Sequence, residues 1–272
     1  MIHKCGKERE SAVFEYIGND YSKCLYLYLN LIKYGADSDV IRVYVQEENS
    51  EIKAVLLVYF SCLHVYTKDC SELDASGIIS LAVENHCSMI YCKADIAEKI
   101  YENMAESLKH RVIITQGWAA QIKDVDKKCE MMPVPAKNDD FEQIVNLIYE
   151  DEDIGKSYKL ADLAQQLRER NQQKYARNYV IKHDGEVIAH ACTNAEISKI
   201  AVVAELLVKP AYRRRGYASA IWRYLCSELL SEGKEVYSFY YSEESRSLHK
   251  KIGFFEVCEW KKIVILNQER GE

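Results

Sequence analysis

The chain has 272 residues, enough for one large domain or two ordinary ones, and 48% of them are hydrophobic, which suffices for a packed core. Its formal net charge of -6 argues against a dedicated nucleic-acid-binding protein, because such proteins carry a basic surface that shows in the totals. Ten cysteines are scattered singly, without a Cys-x-x-Cys pair or zinc-ligand spacing, so we expect reduced, mostly buried thiols and no metal. No apolar run has membrane-spanning length and the N-terminus lacks the apolar segment of a signal peptide, so we expect a cytoplasmic protein with no membrane partner.

The first half of the chain alternates helical and strand-like patterns. In chain order the patterns predict a helix over 20–35, a hairpin over 40–67 that turns at Asn49 and Ser50, a helix over 72–86, a strand over 88–94, a helix over 95–110 and a strand over 111–122. A charged stretch without periodicity follows and contains Pro133 and Pro135. We place the domain boundary there, with domains 1–130 and 131–272.

The second half begins with two helices and continues with strands. Helices are predicted over 140–153 and 158–173, strands over 177–196 and 198–210, and a tight hairpin at Asp184 and Gly185. The remainder is predicted as a helix over 217–233 capped by Gly233, a strand over 234–242, a helix over 243–253 and a strand over 254–266. The halves share this order, which suggests a duplication, with independently acquired α/β order as the alternative.

The corner between the strand over 198–210 and the next helix carries three arginines followed by a glycine. The first amides of a helix have no backbone partner and lie at the positive end of its dipole, so such a corner binds anions. Gly216 would let a ligand approach the backbone, and Arg213, Arg214 and Arg215 would add charge. The chemistry suits a diphosphate, although neither a P-loop nor a dinucleotide fingerprint is present. The corresponding stretch of the first half, 67–77, is acidic and is not expected to do this.

Two motifs resemble those of the GNAT superfamily of acetyl-CoA-dependent N-acetyltransferases. Arg213, Gly216 and Ala218 match its R/Q-x-x-G-x-G/A motif, and 248–254 is similar to its L-Y-x-x-x-G-F signature, with Gly253 and Phe254 in place. The resemblance covers residues 132–266. It implies an α/β (α+β) fold of two GNAT-like domains, each a mixed, mostly antiparallel twisted sheet flanked by helices, the first being a degenerate copy.

The resemblance also implies roles for named residues. The pantetheine arm of acetyl-CoA would bond to the main chain of Leu206, Leu207 and Val208 as an added strand would. The loop and the first helical turn would hold the diphosphate, and the residues expected there are Arg213, Arg214, Arg215, Gly216, Tyr217, Ala218 and Ser219. An amine would attack the thioester directly, so the protein must take a proton from the ammonium and protonate or stabilise the thiolate.

The two proton-transfer residues are less firmly indicated than the loop. His249 occupies the position of the usual tyrosine acid and is either that acid or a passive surface residue, with Tyr240 and Tyr241 as alternative hydroxyls. Glu205 interrupts an apolar strand just before the pantetheine segment and is either the base or a solvent-facing carboxylate, with Glu196 and Asn194 weaker.

We therefore expect an N-acyltransferase that moves an acetyl group from acetyl-CoA to the primary amine of a small molecule or peptide, without nucleic acid or metal. The N-terminal half would shape the acceptor pocket or form a subunit contact, which leaves a homodimer open. One alternative is a catalytically silent CoA-binding or regulatory module. Another is a docking protein that uses the arginine run, disfavoured by the net acidity.

Overall fold

The computed structural model describes residues 1–126, 131–152, 155 and 160–266. By contacts the chain divides into unit 1, Met1–Ala119 with Val257–Glu272, and unit 2, Ala120–Glu256. The predicted boundary between 130 and 131 lies at the edge of a segment outside the described residues. Within the described part of the chain no helix is long and apolar enough to cross a membrane.

Unit 1 is a sheet with helices on both faces. Its elements are β1 (Ile2–Lys4), α1 (Glu10–Ile17), α2 (Leu25–Tyr34), β2 (Ile41–Glu48), β3 (Glu51–Tyr59), β4 (Cys62–Thr67), α3 (Ala75–Glu84), β5 (Met89–Lys93), α4 (Ala94–Glu102), α5 (Glu106–Lys109) and β6 (Val112–Ile122), with short 3-10 turns at Lys7–Arg9, Gly18–Lys23 and Cys70–Glu72.

The strands of unit 1 pair in the order β1-β2-β3-β4-β5, and all pairs but the last are antiparallel. Successive side chains of β3 pack in the two hydrophobic cores on opposite faces of the sheet, because strand residues alternate between faces. Val55 and Leu57 pack in the cluster with α1 and α2, whereas Leu56 and Val58 pack in the cluster with α3 and α4. The predicted hairpin over 40–67 is thus three strands, since the chain turns a second time at Phe60.

Unit 2 begins at the end of β6. Its elements are β7 (Val134–Pro135), α6 (Phe141–Tyr149), α7 (Leu160–Gln172), β8 (Asn178–His183), β9 (Glu186–Glu196), β10 (Ile200–Val208), α8 (Tyr217–Ser231), β11 (Glu235–Tyr240) and α9 (Glu243–Ile252), with 3-10 turns at Asn138–Asp140 and Pro210–Tyr212. The strand order is β7-β8-β9-β10-β11, antiparallel except for the parallel pair β10 and β11. The predicted element order and the hairpin at Asp184 and Gly185 are confirmed.

The last strand, β12 (Phe255–Ile265), pairs antiparallel with β5 through residues that belong to unit 1. Ile263 on this strand is fully buried in the same core as α3 and α4. The C-terminal strand is therefore part of the sheet of the first unit.

The two units have a similar internal topology. In each, an antiparallel meander ends in a strand that is parallel to the next one, and a helix connects the two: β4-α3-β5 in unit 1 and β10-α8-β11 in unit 2. This repeated pattern accords with the duplication suggested by the sequence.

Candidate active site

The loop before α8 leaves a helix N-terminus without a side-chain cap. Gly216 is the N-cap residue and has a φ of 87°, in the left-handed region that favours glycine. The amide of Ala220 is bonded to the Gly216 carbonyl at 3.0 Å, so the amides of residues 217–219 precede the first helical hydrogen bond. The loop residues from Arg213 to Gly216 are all exposed. Helix α8 therefore begins without a side-chain cap, next to an exposed loop, and its binding of a diphosphate stays a prediction.

The three arginines differ in what they contact. The Arg213 Nε donates to the Val208 carbonyl at 3.0 Å, and its terminal nitrogen lies 3.8 Å from Asp151. Arg215 lies over the ring of Tyr212. Arg214 has a φ of 62°. Arg213 thus braces the turn, and the guanidinium groups of Arg214 and Arg215 supply the exposed charge beside Gly216.

The corresponding helix of unit 1, α3, has a side-chain cap at its N-terminus. The Asp74 side chain accepts a hydrogen bond from the Gly77 amide at 2.9 Å and so caps α3. A carboxylate at this position occupies the amides and repels an anion. The first unit therefore lacks the open helix terminus of the second, in line with the acidic stretch seen in the sequence.

Strands β10 and β11 are paired over only part of their length. Their parallel pairing ends at Val203 and Ser238, although β10 continues to Val208. On its other side β10 stays paired with β9, where Leu207 lies opposite His190. Leu206, Leu207 and Val208 therefore lie beyond the point where the two strands separate, as a pantetheine-binding segment requires.

Glu205 lies in a bulge at this point of β10. The register with β9 shifts between Ala204 and Leu207, and Glu205 itself has a φ of 54°, an uncommon conformation for a residue with a side chain. The bulge turns the carboxyl into the protein, where it is 7% exposed. Sequence reasoning allowed a solvent-facing carboxylate, and that alternative is wrong.

The surroundings of Glu205 are polar and buried. Cys192 Sγ donates to Glu205 Oε2 at 3.3 Å, and Glu205 Oε1 has no hydrogen-bond partner in the part of the chain that the structure describes. Burial raises the pKa of this carboxyl above its ordinary value, while the Arg170 guanidinium and the Cys192 thiol oppose the rise. A buried carboxyl with a raised pKa is a suitable proton acceptor.

His249 lies in a different environment from the one predicted. The ring is 3% exposed, its Nδ1 donates to the Ser245 carbonyl at 2.7 Å, and its Nε2 accepts from the Ser238 hydroxyl at 2.9 Å. Burial lowers the pKa of His249 to about 4, so the ring is neutral near pH 7. These contacts are those of a structural histidine, and its assignment as the acid stays a prediction. His249 contacts β11 through Ser238, the last residue of β11 that pairs with β10, and through the ring of Tyr240.

The alternative candidates are engaged in structural contacts. Tyr240 is buried, and its hydroxyl donates to Glu256 at 3.1 Å. Glu196 is paired with Arg177, and the side-chain oxygen of Asn194 accepts from Arg170 at 3.0 Å. None of these side chains has the free buried oxygen that Glu205 has.

Sequence reasoning missed the residues around Glu205. His190 and Cys192 alternate along β9 and face the same side of the sheet as Glu205, as does Asn178 on β8 opposite Cys192. Polar residues at every second position of an otherwise apolar strand were the available signal. The side to which they point depended on the bulges, which the sequence did not reveal.

Comparison with family models matches residues 140–254 to the acetyltransferase (GNAT) family. These residues form a GNAT acetyltransferase domain. The match contains Glu205, the open loop and His249, and the family implies acyl transfer. Comparison with curated proteins gave no match.

Solved structures extend the likeness of fold beyond the matched segment. A GCN5-related N-acetyltransferase from Sphaerobacter thermophilus has 12% identity, covers 98% of this chain and 96% of its own, and superposes with a TM-score of 0.65. A GCN5-related N-acetyltransferase-like protein from Streptococcus suis has 14% identity, and the match covers 95% of this chain and 98% of that protein with a TM-score of 0.62. A tandem GNAT protein from the clavulanic acid biosynthesis pathway has 9% identity, and the match covers 99% of both chains with a TM-score of 0.59. The predicted fold class, two GNAT-like domains with mixed sheets, is confirmed.

Proposed function

We propose that the GNAT domain transfers an acetyl group from acetyl-CoA to a primary amine by direct attack. The observation that carries the proposal is the open end of α8, where Gly216 leaves uncapped amides next to the separated strands β10 and β11. The diphosphate would bond to the amides of residues 217–219, with charge from Arg214 and Arg215. The pantetheine arm would follow Leu206 to Val208 toward Glu205.

In this proposal Glu205 accepts the proton of the attacking ammonium group. Nitrogen attacks the thioester carbon, the carbon–sulfur bond breaks, and the electron pair leaves with the CoA sulfur as a thiolate. Main-chain bonding along Leu206 to Val208 would place the thioester near the bulge that carries Glu205. The nitrogen loses its second proton as the amide forms, and the thiolate would take that proton directly or through solvent. His249 would supply a proton through Ser238 only after its ring had gained one, because the neutral ring accepts at Nε2.

The diphosphate site is tested by calorimetric titration with acetyl-CoA. We expect Gly216→Glu to abolish measurable binding, because it places a carboxylate at the amides and a side chain at a φ of 87°. Gly233→Glu is the matched control, since Gly233 also has a positive φ of 77°, has open space around it and follows the opposite end of α8. Equal binding by the wild type and both variants would contradict the proposal.

The base is tested by Glu205→Gln, which keeps the shape of the side chain. We expect kcat for an amine acceptor to fall by about 10²- to 10⁴-fold, the usual contribution of general acid–base catalysis, while the Kd for acetyl-CoA stays unchanged. A variant with the wild-type kcat would exclude Glu205 as the base. The acceptor would be an amine that is cationic in solution, which the net charge of -6 attracts.

A second function, a catalytically silent CoA-binding module, is favoured by the burial of His249 at the position of the usual acid. The two functions differ in turnover. A panel of polyamines, aminoglycosides, amino acids and peptides, assayed for release of free thiol, separates them: binding of acetyl-CoA without release for any amine supports the silent module.

A further inference from the structure

Three side chains in unit 2 bring together the atoms that bind a transition metal. The ligand atoms of His190, Cys192 and Glu205 all lie within 4.8 Å of one another, and all three residues are buried. An imidazole nitrogen, a thiolate and a carboxylate are the ligands that zinc prefers in proteins. The residues come from adjacent strands and from a bulge, so their sequence spacing does not resemble a zinc motif.

The cluster has free bonding capacity in its interior. Three side-chain atoms are fully buried and have no hydrogen-bond partner within the described residues: His190 Nδ1, Glu205 Oε1 and Asn178 Nδ2. Buried polar atoms are nearly always paired, because leaving one unpaired costs about 1–3 kcal/mol. Two of these atoms, His190 Nδ1 and Glu205 Oε1, belong to residues of the cluster, and their free bonding capacity indicates that the cluster binds something.

The arrangement around His190 is that of a metal ligand. Its Nε2 bonds to Asn178 Oδ1 at 3.0 Å, which holds the ring, and Nδ1 has no hydrogen-bond partner among the described residues. Metal-bound histidines commonly donate their other nitrogen to such a partner.

The distances require only a small contraction. Ligand atoms around a tetrahedral zinc ion lie about 3.3–3.8 Å apart, given bonds of about 2.0–2.3 Å. Cys192 Sγ and Glu205 Oε2 are already 3.3 Å apart. The widest separation in the cluster, up to 4.8 Å, would close by about 1 Å.

The charges also balance. A divalent ion with one thiolate and one carboxylate is neutral overall, which lowers the cost of burying it. The nearby cation, Arg170, is held by Gln166 Oε1 at 3.2 Å and by Asn194 Oδ1 at 3.0 Å, so its guanidinium has its own acceptors. The thiol loses its proton to solvent when the ion binds.

We propose that His190 Nδ1, Cys192 Sγ and a Glu205 oxygen bind one zinc ion. The three ligands leave a fourth tetrahedral position for water. Because the ion takes the Glu205 carboxylate, zinc would inhibit acyl transfer reversibly. This consequence rests on the proposed function, whereas binding of the ion does not.

The test titrates the metal-free full chain with Co²⁺ as a spectroscopic probe and with Zn²⁺ against a chromophoric chelator. We expect one tight equivalent, a thiolate-to-cobalt charge-transfer band in the near ultraviolet, and the loss of both in Cys192→Ser. Glu205→Gln should weaken Zn²⁺ binding by more than about 100-fold, and Asn178→Ala, which removes an outer partner, by about 10- to 100-fold.

Cys226→Ser is the matched control, because Cys226 is also a buried thiol of unit 2 but lies on α8. Circular dichroism and thermal unfolding verify that each variant is folded, and Glu205→Gln preserves side-chain shape if Cys192→Ser is unstable. Equal Zn²⁺ affinity in the wild type, Cys192→Ser and Glu205→Gln, or the absence of a thiolate band, would overturn the proposal. Neither readout requires acetyl-CoA, so a failure here is distinct from a failure of the acyltransfer proposal.

Discussion

At the scale of single residues, conformation decides which candidates face the site. Glu205 lies inside because one bulge and one left-handed backbone conformation turn it there. The sequence identified it as an interruption in an apolar strand, but its direction depended on pairing with β9. His249 was predicted by its place in a motif, and packing against Trp222, Tyr240 and Phe254 makes it a neutral core residue.

The neutral state of His249 predicts how stability depends on pH. Its pKa in the folded protein is about 4, below the ordinary value of 6.5, so its contribution to the free energy of unfolding is complete above pH 6.5. We expect that contribution to be lost as the pH falls from 6.5 to 4, because the unfolded chain takes up the proton first. Urea unfolding at several pH values measures it.

His249→Gln should reduce the dependence of stability on pH between 6.5 and 4 without abolishing it, because burial also lowers the pKa of His190 to about 3. His183→Gln, at an exposed position, should leave the dependence as in the wild type. If stability depended on pH equally in His249→Gln and in the wild type, the pKa of His249 would be the same in the folded and unfolded protein. The native ring would then take up its proton near its ordinary pKa. It would then be able to act as an acid near neutral pH.

At the scale of elements, periodicity predicted most helices and strands of both units. The strand β4 was merged with its neighbour because its turn contains Phe60, with a φ of 50°, rather than a glycine or asparagine. The uncapped end of α8 was predictable because a single glycine follows the arginines. The hydrogen bond from Arg213 to the Val208 carbonyl was not predictable, because it depends on the path of the loop.

The tie between α9 and the start of β12 makes a second pH prediction. Hydrogen bonds from Arg246, Lys250 and Tyr240 lower the pKa of Glu256 to about 2. A carboxyl whose pKa is lowered on folding stabilises the folded protein at pH values above its ordinary pKa of 4.5. We expect this stabilisation to be lost as the pH falls from 4.5 toward 2. Glu256→Gln should remove this pH-dependent part of the stability. Acid unfolding monitored by circular dichroism measures the effect.

Glu243→Gln serves as its control, since Glu243 also pairs with Arg246 but is largely exposed. An equal effect of the two substitutions would contradict the assignment to Glu256.

At the scale of the whole molecule, the chain order of elements and their grouping into units differ. The last strand follows α9 in sequence but pairs with β5 in unit 1, a contact across more than 160 residues that no local pattern encodes. Ile263→Ala should therefore destabilise unit 1 by about 2–5 kcal/mol, because it opens a cavity in that core. Hydrogen exchange should become faster in β5 and α4.

The control for that experiment is Ile113→Ala on β6, where the side chain is half exposed and the expected loss is small. Faster exchange in β8 and β9 with unchanged β5 would show that the last strand belongs to the second unit instead.

The central claim is that the open end of α8 and the separated strands hold acetyl-CoA. The most direct measurement is a crystal structure of the full chain with acetyl-CoA. We expect the diphosphate within hydrogen-bond distance of the amides of residues 217–219, the pantetheine along Leu206 to Val208, and the thioester beside Glu205. A carrier bound elsewhere, or a loop over 213–216 that closes the helix end against it, would contradict the account.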